Sequence, residues 1–365
     1  MQWPGSIEWR KRKRLLVPTL LFVVTATSVL LVLAGAGLRT ARSAPPALRF
    51  FDPRRPPTID EGWTACVMDY TLSSTAKNDA IFVGDSICRS GLDPGQFEKL
   101  TQLRAYNLGV LFGGLGPDVL LNVAKTYLVN HPAPRIVVLC TSPVCFEREL
   151  PSFFVPVRDR FLNCFAFEAP NLQSNQGRLS YLMSISYLIR QGTLMNWDRT
   201  TSSLAGREHD VRDDPLFREE DRTYRTLERQ VRQARGFYPM SGSGRIGFLD
   251  RSARRVPVEN DWDRSVRRLA ETCEEAHVPL LIRLGPISAE ASKDLVFDRV
   301  ESWVKQLQVS YPHVTVARDH NVLRYPTALC ADSTHPNVQG AAKFTADVAD
   351  DARRVLGLSG PAKSN

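Results

Sequence analysis

Two short segments of this chain carry a serine, a histidine and an aspartate whose types and order suit acyl-group chemistry. Ser86 ends the run Ala80-Ile-Phe-Val-Gly84-Asp85-Ser86, and Asp332-Ser-Thr-His335-Pro336 lies near the other end of the sequence. A serine hydroxyl is a weak nucleophile and needs a neighbouring base. His335 can act as that base, and Asp332, on the same short turn, can hold one imidazole tautomer and stabilise the imidazolium. Attack on an ester carbonyl also develops an oxyanion, which needs preorganised donors, each worth about 3 to 4 kcal/mol in serine enzymes. The backbone N–H of Ser86 is one candidate donor. Gly113 and Gly114, in Asn107-Leu-Gly-Val-Leu-Phe-Gly113-Gly114, are others, because glycine lets a backbone approach a substrate closely.

The apolar run before Ser86 reads as a buried strand over residues 80–84. Further strands are expected at 104–109, 135–140, 278–283 and 313–316, alternating with helices near 94–102, 117–129, 262–276, 290–309 and 338–356. Strands joined by crossover helices predict a parallel sheet covered on both faces. In such sheets functional groups gather at the carboxyl ends of the strands. Ser86, the 109–116 loop, Thr141, Ser142 and Gly285 all fall there. The alternation stops between about 145 and 258, where the composition turns polar and arginine-rich, with an apolar helix near 179–189 and another helix at 218–235. This stretch reads as an insertion into one α/β domain spanning 63–358, placed to rim the site and select an acceptor. Residues 359–365 read as a disordered tail.

At 365 residues, 43% hydrophobic and 24% charged, the chain has an ordinary globular composition with room for a sizeable core. A net charge of +8 raises the possibility of nucleic acid. Against it, Arg10-Lys-Arg-Lys-Arg14 directly precedes an apolar stretch. In the insertion, moreover, Asp210, Asp213, Asp214, Glu219, Glu220 and Asp221 interleave with the basic residues, and few aromatics are available for stacking. Residues 15–38 contain no ionisable side chain, and about 24 residues at about 1.5 Å each span about 36 Å, enough to cross a hydrocarbon core of about 30 Å. The positive-inside rule puts 1–14 in the cytoplasm and everything after the span outside. An uncleaved anchor is the favoured reading, since a cleaved signal peptide has an apolar region of only about 7 to 15 residues. Residues 39–62, with Pro45, Pro46, Pro53, Pro56 and Pro57, read as an extended tether.

Gly84-Asp85-Ser86, Asn107-x-Gly and Asp332-x-x-His335-Pro336, in that order, resemble the SGNH, or GDSL-like, hydrolase superfamily over about 78–145 and 276–356. The resemblance implies a flavodoxin-like three-layer sandwich and a cofactor-free, metal-free site. It places the nucleophile at Ser86, the rest of the triad at His335 and Asp332, and an oxyanion glycine at Gly113 or Gly114. One block departs from the family. Its third block ends a strand with Gly-x-Asn-Asp, whose Asn donates to the oxyanion, whereas Ile136-Val-Val-Leu-Cys-Thr-Ser-Pro143 has no Asn and offers Ser142 or Thr141 instead. The departure keeps open a catalytically inactive module that binds polysaccharide or a membrane partner. The anchored layout is similar to that of SGNH-like proteins of the bacterial envelope, such as the alginate O-acetylation and teichoic acid D-alanylation proteins. That similarity implies a serine esterase, deacetylase or O-acyltransferase acting on an acylated carbohydrate or envelope polymer, beside a membrane acyltransferase partner. Asn107 and Arg89 are the candidate substrate-binding residues, with a solvated helical arginine as the competing reading of Arg89.

Other features carry less chemistry. The seven cysteines, at 66, 88, 140, 145, 164, 273 and 330, leave at least one unpaired; outside the membrane the others can form disulfides, in a pattern the spacing does not fix. No histidine stands at metal-ligand spacing from Cys140 and Cys145, which argues against zinc. His131, His209, His277, His313 and His320 lack partners at motif spacing and read as surface or core residues. Gly242-Ser-Gly-Arg-Ile-Gly247 matches the dinucleotide letter pattern, but no strand precedes it, so it reads as a loop. Asp332 also reads as an N-cap or turn residue ahead of the helix from Val338, a role compatible with catalysis.

Overall fold

In the computed structural model, which describes residues 22–39, 59–110, 116–147, 155–168, 175–204, 229–241, 255–317 and 322–358, the expected apolar runs form one parallel sheet. The elements are, in chain order, α1 (Phe22–Arg39), α2 (Ile59–Ser73), β1 (Ala80–Gly84), α3 (Ser86–Gly91), α4 (Pro94–Thr101), β2 (Ala105–Asn107), α5 (Pro117–Asn130), β3 (Ile136–Thr141), α6 (Val155–Glu168), α7 (Asn175–Leu204), α8 (Asn260–Glu275), β4 (Leu280–Leu284), β5 (Ile287–Ser288), α9 (Asp298–Ser310), β6 (Val314–Val316), β7 (Arg324–Tyr325) and α10 (Val338–Val355).

The main sheet has the order β2-β1-β3-β4-β6 with every pair parallel, while β5 and β7 form a separate parallel pair. This order belongs to flavodoxin-like doubly wound sheets, whose ligand crevice opens where the winding reverses, here between β1 and β3. Ser86 follows β1 at that crevice.

Every residue of β1, β3 and β4 is buried, because helices cover both faces, and this is why these strands are nearly unbroken apolar runs; the one charge among them, Arg283 of β4, pairs with the buried Asp351 of α10 at 3.1 Å. On one face Ile81, Val83, Val137, Leu139, Leu280 and Ile282 join a core with residues of α2, α5, α8 and α9. On the other, Phe82, Val138 and Leu281 pack with Ile87 of α3, Phe97 of α4 and Phe344 of α10. Helix α8 shows how sequence dictates this packing. Trp262, Val266, Leu269, Ala270 and Cys273 recur at intervals of three and four and form its buried stripe. At the start of α4, Asp93 accepts from the N–H groups of Gly95 and Gln96, and Pro94 occupies the first turn.

Three expectations about elements change. Helix α2 begins at Ile59, within the last residues of the expected tether, and is buried on nearly all sides through Trp63, Thr64, Ala65, Val67 and Met68. Helix α9 starts at Asp298 rather than near 290. The preceding residues are turns, held by the Arg324 guanidinium, which donates to the carbonyls of Ser292 (2.8 Å) and Leu295 (2.7 Å). The insertion supplies α6 and α7, and the apolar helix expected near 179–189 lies within α7. Most of the 218–235 helix, the 242–247 loop, His209, His320, the basic segment 1–14, the rest of the tether and the tail lie outside the described residues.

Candidate active site

The placement of Ser86 begins with its neighbour. Asp85 is fully buried and accepts four hydrogen bonds: Ile87 N–H at 2.9 Å on Oδ1, and Ser142 N–H (2.8 Å), Thr141 Oγ1–H (3.0 Å) and Cys145 Sγ–H (3.1 Å) on Oδ2. One carboxylate thus caps α3 and ties its first turn to the end of β3. Gly84 must be glycine, since a Cβ there would collide with the Cys140 carbonyl and crowd Cys88. Ser86 emerges half-buried as the first residue of α3. Its N–H belongs to the opening turn, where a helix has no internal acceptor.

His335 arrives on a closed loop. Cys330 and Pro336 form an antiparallel bridge, Ala331 N–H donates to the His335 carbonyl at 2.9 Å, and Ser288 N–H of β5 donates to the Ser333 carbonyl at 3.1 Å. Inside the loop, Asp332 Oδ1 accepts from the N–H groups of Thr334 and His335, each at 2.8 Å, an Asx turn that fixes the carboxylate. That carboxylate lies 2.8 and 2.9 Å from His335 Nδ1, and His335 Nε2 lies 2.7 Å from Ser86 Oγ. The His335 and Asp332 side chains are 19% and 37% exposed.

Burial works to raise the Asp332 carboxyl, but the hydrogen bond and charge of His335, with the N–H groups of Thr334 and His335, outweigh it and hold it at about 2. An ionised Asp332 keeps the imidazole proton on Nδ1. The Nε2 lone pair then faces the Ser86 hydroxyl. The cap of α10 is Asn337, whose side chain accepts from Gly340 N–H at 3.0 Å, so Asp332 is not the capping residue.

The other expected site residues are placed differently. Gly113 and Gly114 lie outside the described residues. Ser142 is buried, gives its N–H to Asp85, and accepts the Val144 N–H on its hydroxyl at 3.4 Å; the Thr141 hydroxyl also goes to Asp85. Thr141 and the Ser142 N–H therefore fix the turn that carries Ser86. Asn107 is fully buried: its Nδ2 donates to the carbonyls of Cys88 (2.7 Å) and Leu92 (2.8 Å), and its Oδ1 accepts from Gly109 N–H (2.8 Å). Asn107 ties the end of β2 to α3 and does not face substrate.

Arg89 is neither solvated nor open to substrate. It is 5% exposed, and its guanidinium lies 4.8 Å from the ring centres of both Trp63 and Tyr238. Trp63 Nε1–H donates to the Gly109 carbonyl at 3.3 Å, and Tyr238 N–H donates to the Arg89 carbonyl at 3.1 Å. Helix α2 and the segment 229–241 thereby brace the turn that leads from β2 into the glycine loop. The three aromatic and cationic residues are far apart in sequence and form no motif, so only the folded chain brings them together.

No protein-family model and no curated protein matches this chain.

Its own groups therefore carry the argument. A hydroxyl, an imidazole and a carboxylate in hydrogen-bonded series can move the hydroxyl proton to nitrogen while oxygen attacks a carbonyl carbon. Cys88, two residues on, is unsuited to that role: burial, the Cys140 thiol and the Asp85 carboxylate hold its pKa well above the usual value, so it stays a thiol. All seven cysteines are buried, and none is joined in a disulfide. Of the remaining histidines, His131 and His313 lie 2.9 Å from the backbone carbonyls of Thr71 and Ala270, and His277 is exposed.

Proposed function

We propose that this protein is an SGNH-type serine acyl hydrolase or O-acyltransferase, anchored by its N-terminal helix with the α/β domain outside the membrane. Its substrates are acyl esters of envelope carbohydrate. The observation that carries the reading is the 2.7 Å approach of His335 Nε2 to Ser86 Oγ, with Asp332 2.8 Å behind Nδ1. Membrane anchoring is supported by α1, which is apolar and long enough to cross a bilayer.

In the first half-reaction Ser86 Oγ bonds to the acyl carbon as its proton passes to His335 Nε2, leaving a tetrahedral oxyanion beside the Ser86 N–H. Collapse breaks the ester C–O bond, and Nε2 returns the proton to the departing alcohol. The acyl-serine is then attacked by water, giving a carboxylic acid, or by a carbohydrate hydroxyl, giving a new ester. His335 removes the attacking proton and returns it to Ser86 Oγ. Asp332 stabilises the imidazolium in both halves.

A fluorophosphonate probe tests this directly. The expected result is a single adduct on Ser86, absent from Ser86→Ala; labelling that persists in Ser86→Ala overturns it. A second reading, a non-catalytic module that binds polysaccharide or a membrane partner, is favoured by the commitment of Ser142 N–H and Thr141 hydroxyl to Asp85. Retention of biological function by Ser86→Ala would select it.

A further inference from the structure

Helices α1 and α7 meet at a pair of glycines. Gly37, near the C-terminal end of α1, is buried, and a Cβ on Gly192 of α7 would collide with its carbonyl oxygen. A Cβ on Gly37 would in turn lie 2.7 Å from both the Ile189 carbonyl oxygen and Thr193 Oγ1. Helices approach backbone to backbone in this way only where small residues permit it, a packing mode common in membranes.

Helix α7 itself has two faces. Ser184, Leu188 and Gln191 are buried, and α7 packs along α6. The opposite side carries Leu179, Leu182 and Met183, exposed at 59, 62 and 60%. Their i, i+3, i+4 spacing makes them one patch. Adjacent large apolar side chains this open mark a contact surface rather than the ordinary scatter of single exposed residues.

We infer that α7 lies on the outer surface of the bilayer that α1 crosses, with Leu179, Leu182 and Met183 seated among lipid acyl chains. The inference rests on the anchor reading above. The apolar stretch ends at Leu38 and is followed by Arg39, so the Gly37 end of α1 leaves the hydrocarbon core close to its outer boundary. The Gly37–Gly192 crossing then holds α7 at that level. The patch begins about 14 Å from the crossing and ends about 20 Å from it along the α7 axis, within reach of the same interface. Helices that lie in this layer sink an apolar face about 5 to 10 Å into the headgroup boundary. Arg190, exposed beside the patch, suits anionic headgroups. Seating α7 in this way fixes the insertion, and through α6 and α5 the catalytic domain, at a set height above the membrane.

The test uses the full chain in nanodiscs of phosphatidylcholine and phosphatidylglycerol containing a lipid with a diazirine on its acyl chain. After illumination, adducts are mapped by peptide mass spectrometry. The expected result is labelling of both 22–39 and 179–183. In the double variant Leu182→Asp, Met183→Asp, the second set is lost and the first retained. Labelling of 22–39 with none at 179–183 overturns the inference and leaves the anchor standing. Burial of 179–183 against a second copy, read as a chemical cross-link between copies through that segment, overturns it too. Absence of label from both segments overturns the anchor reading and this inference with it.

Discussion

The Asp85 carboxylate accepts the backbone N–H of Ser142 at 2.8 Å, joining the turn that carries Ser86 to the strand end where an oxyanion donor was expected. Three further donors converge on the same side chain, so the middle residue of Gly-Asp-Ser is an anchor with no free capacity. Asp85→Asn keeps the shape but turns an NH2 group toward donors that need an acceptor. Hydrogen bonds to charged groups contribute about 1.5 to 3 kcal/mol, and leaving a buried partner unsatisfied costs about 1 to 3 kcal/mol. We expect Asp85→Asn to lower unfolding stability by about 2 kcal/mol or more and to slow fluorophosphonate labelling of Ser86. Denaturant melts and labelling rates measured on one preparation check both; an unchanged melt would show that Asp85 does not brace the turn.

Ser86, His335 and Asp332 should act as a unit. Removing either of the two groups that handle the proton typically lowers acylation by about 10⁴-fold or more, and losses within such a unit do not add. His335→Ala is therefore expected to reduce Ser86 labelling to near background. The double variant His335→Ala, Asp332→Asn should be no slower than His335→Ala alone. Additive losses would mean that Asp332 serves some purpose other than orienting His335.

The reach of the sequence reading follows from where the signal is local. Strands β1 and β3 were legible because sheets covered on both faces demand unbroken apolar runs, and Asp332-x-x-His335 was legible because one tight turn holds both groups. Helix α2 was not, because burial around nearly its whole circumference, from Trp63 to Met68, erases the periodic stripe that marks a helix. The Arg89 cluster was unreadable for another reason: its three members come from α2, α3 and the insertion, and a composition rule treats each as an ordinary surface or core residue. Asp85 offered a signal that was passed over, an acidic residue directly before a short helix.

Asp332 also makes stability depend on pH in a defined direction. Its carboxyl is held at about 2 in the folded chain against a usual value of 3.8. A carboxyl with a depressed folded pKa stabilises the fold wherever it is ionised in both states, and that contribution disappears as pH falls from about 4 toward about 2. Wild type and Asp332→Asn are therefore expected to differ at about pH 5, with the gap closing as pH falls below about 4. Urea midpoints across that range measure it, and a gap that widens on acidification would contradict the assignment.

The Trp63–Arg89–Tyr238 cluster gives the last expectation, because it touches the turn into the glycine loop without touching the triad. Arg89→Lys keeps the charge but loses the planar face that contacts both rings, each such contact being worth about 0.5 to 2 kcal/mol. Trp63→Phe keeps most of the ring and removes the donor to the Gly109 carbonyl, a loss of about 0.5 to 1.5 kcal/mol. Both changes should loosen the turn that leads into the glycine loop, and so slow Ser86 labelling several-fold at every pH. Neither should move the pH at which labelling is half-maximal, since the surroundings of His335 are unaltered. A shifted midpoint would place the effect on the imidazole instead, and an unchanged rate in both variants would reduce the cluster to core packing.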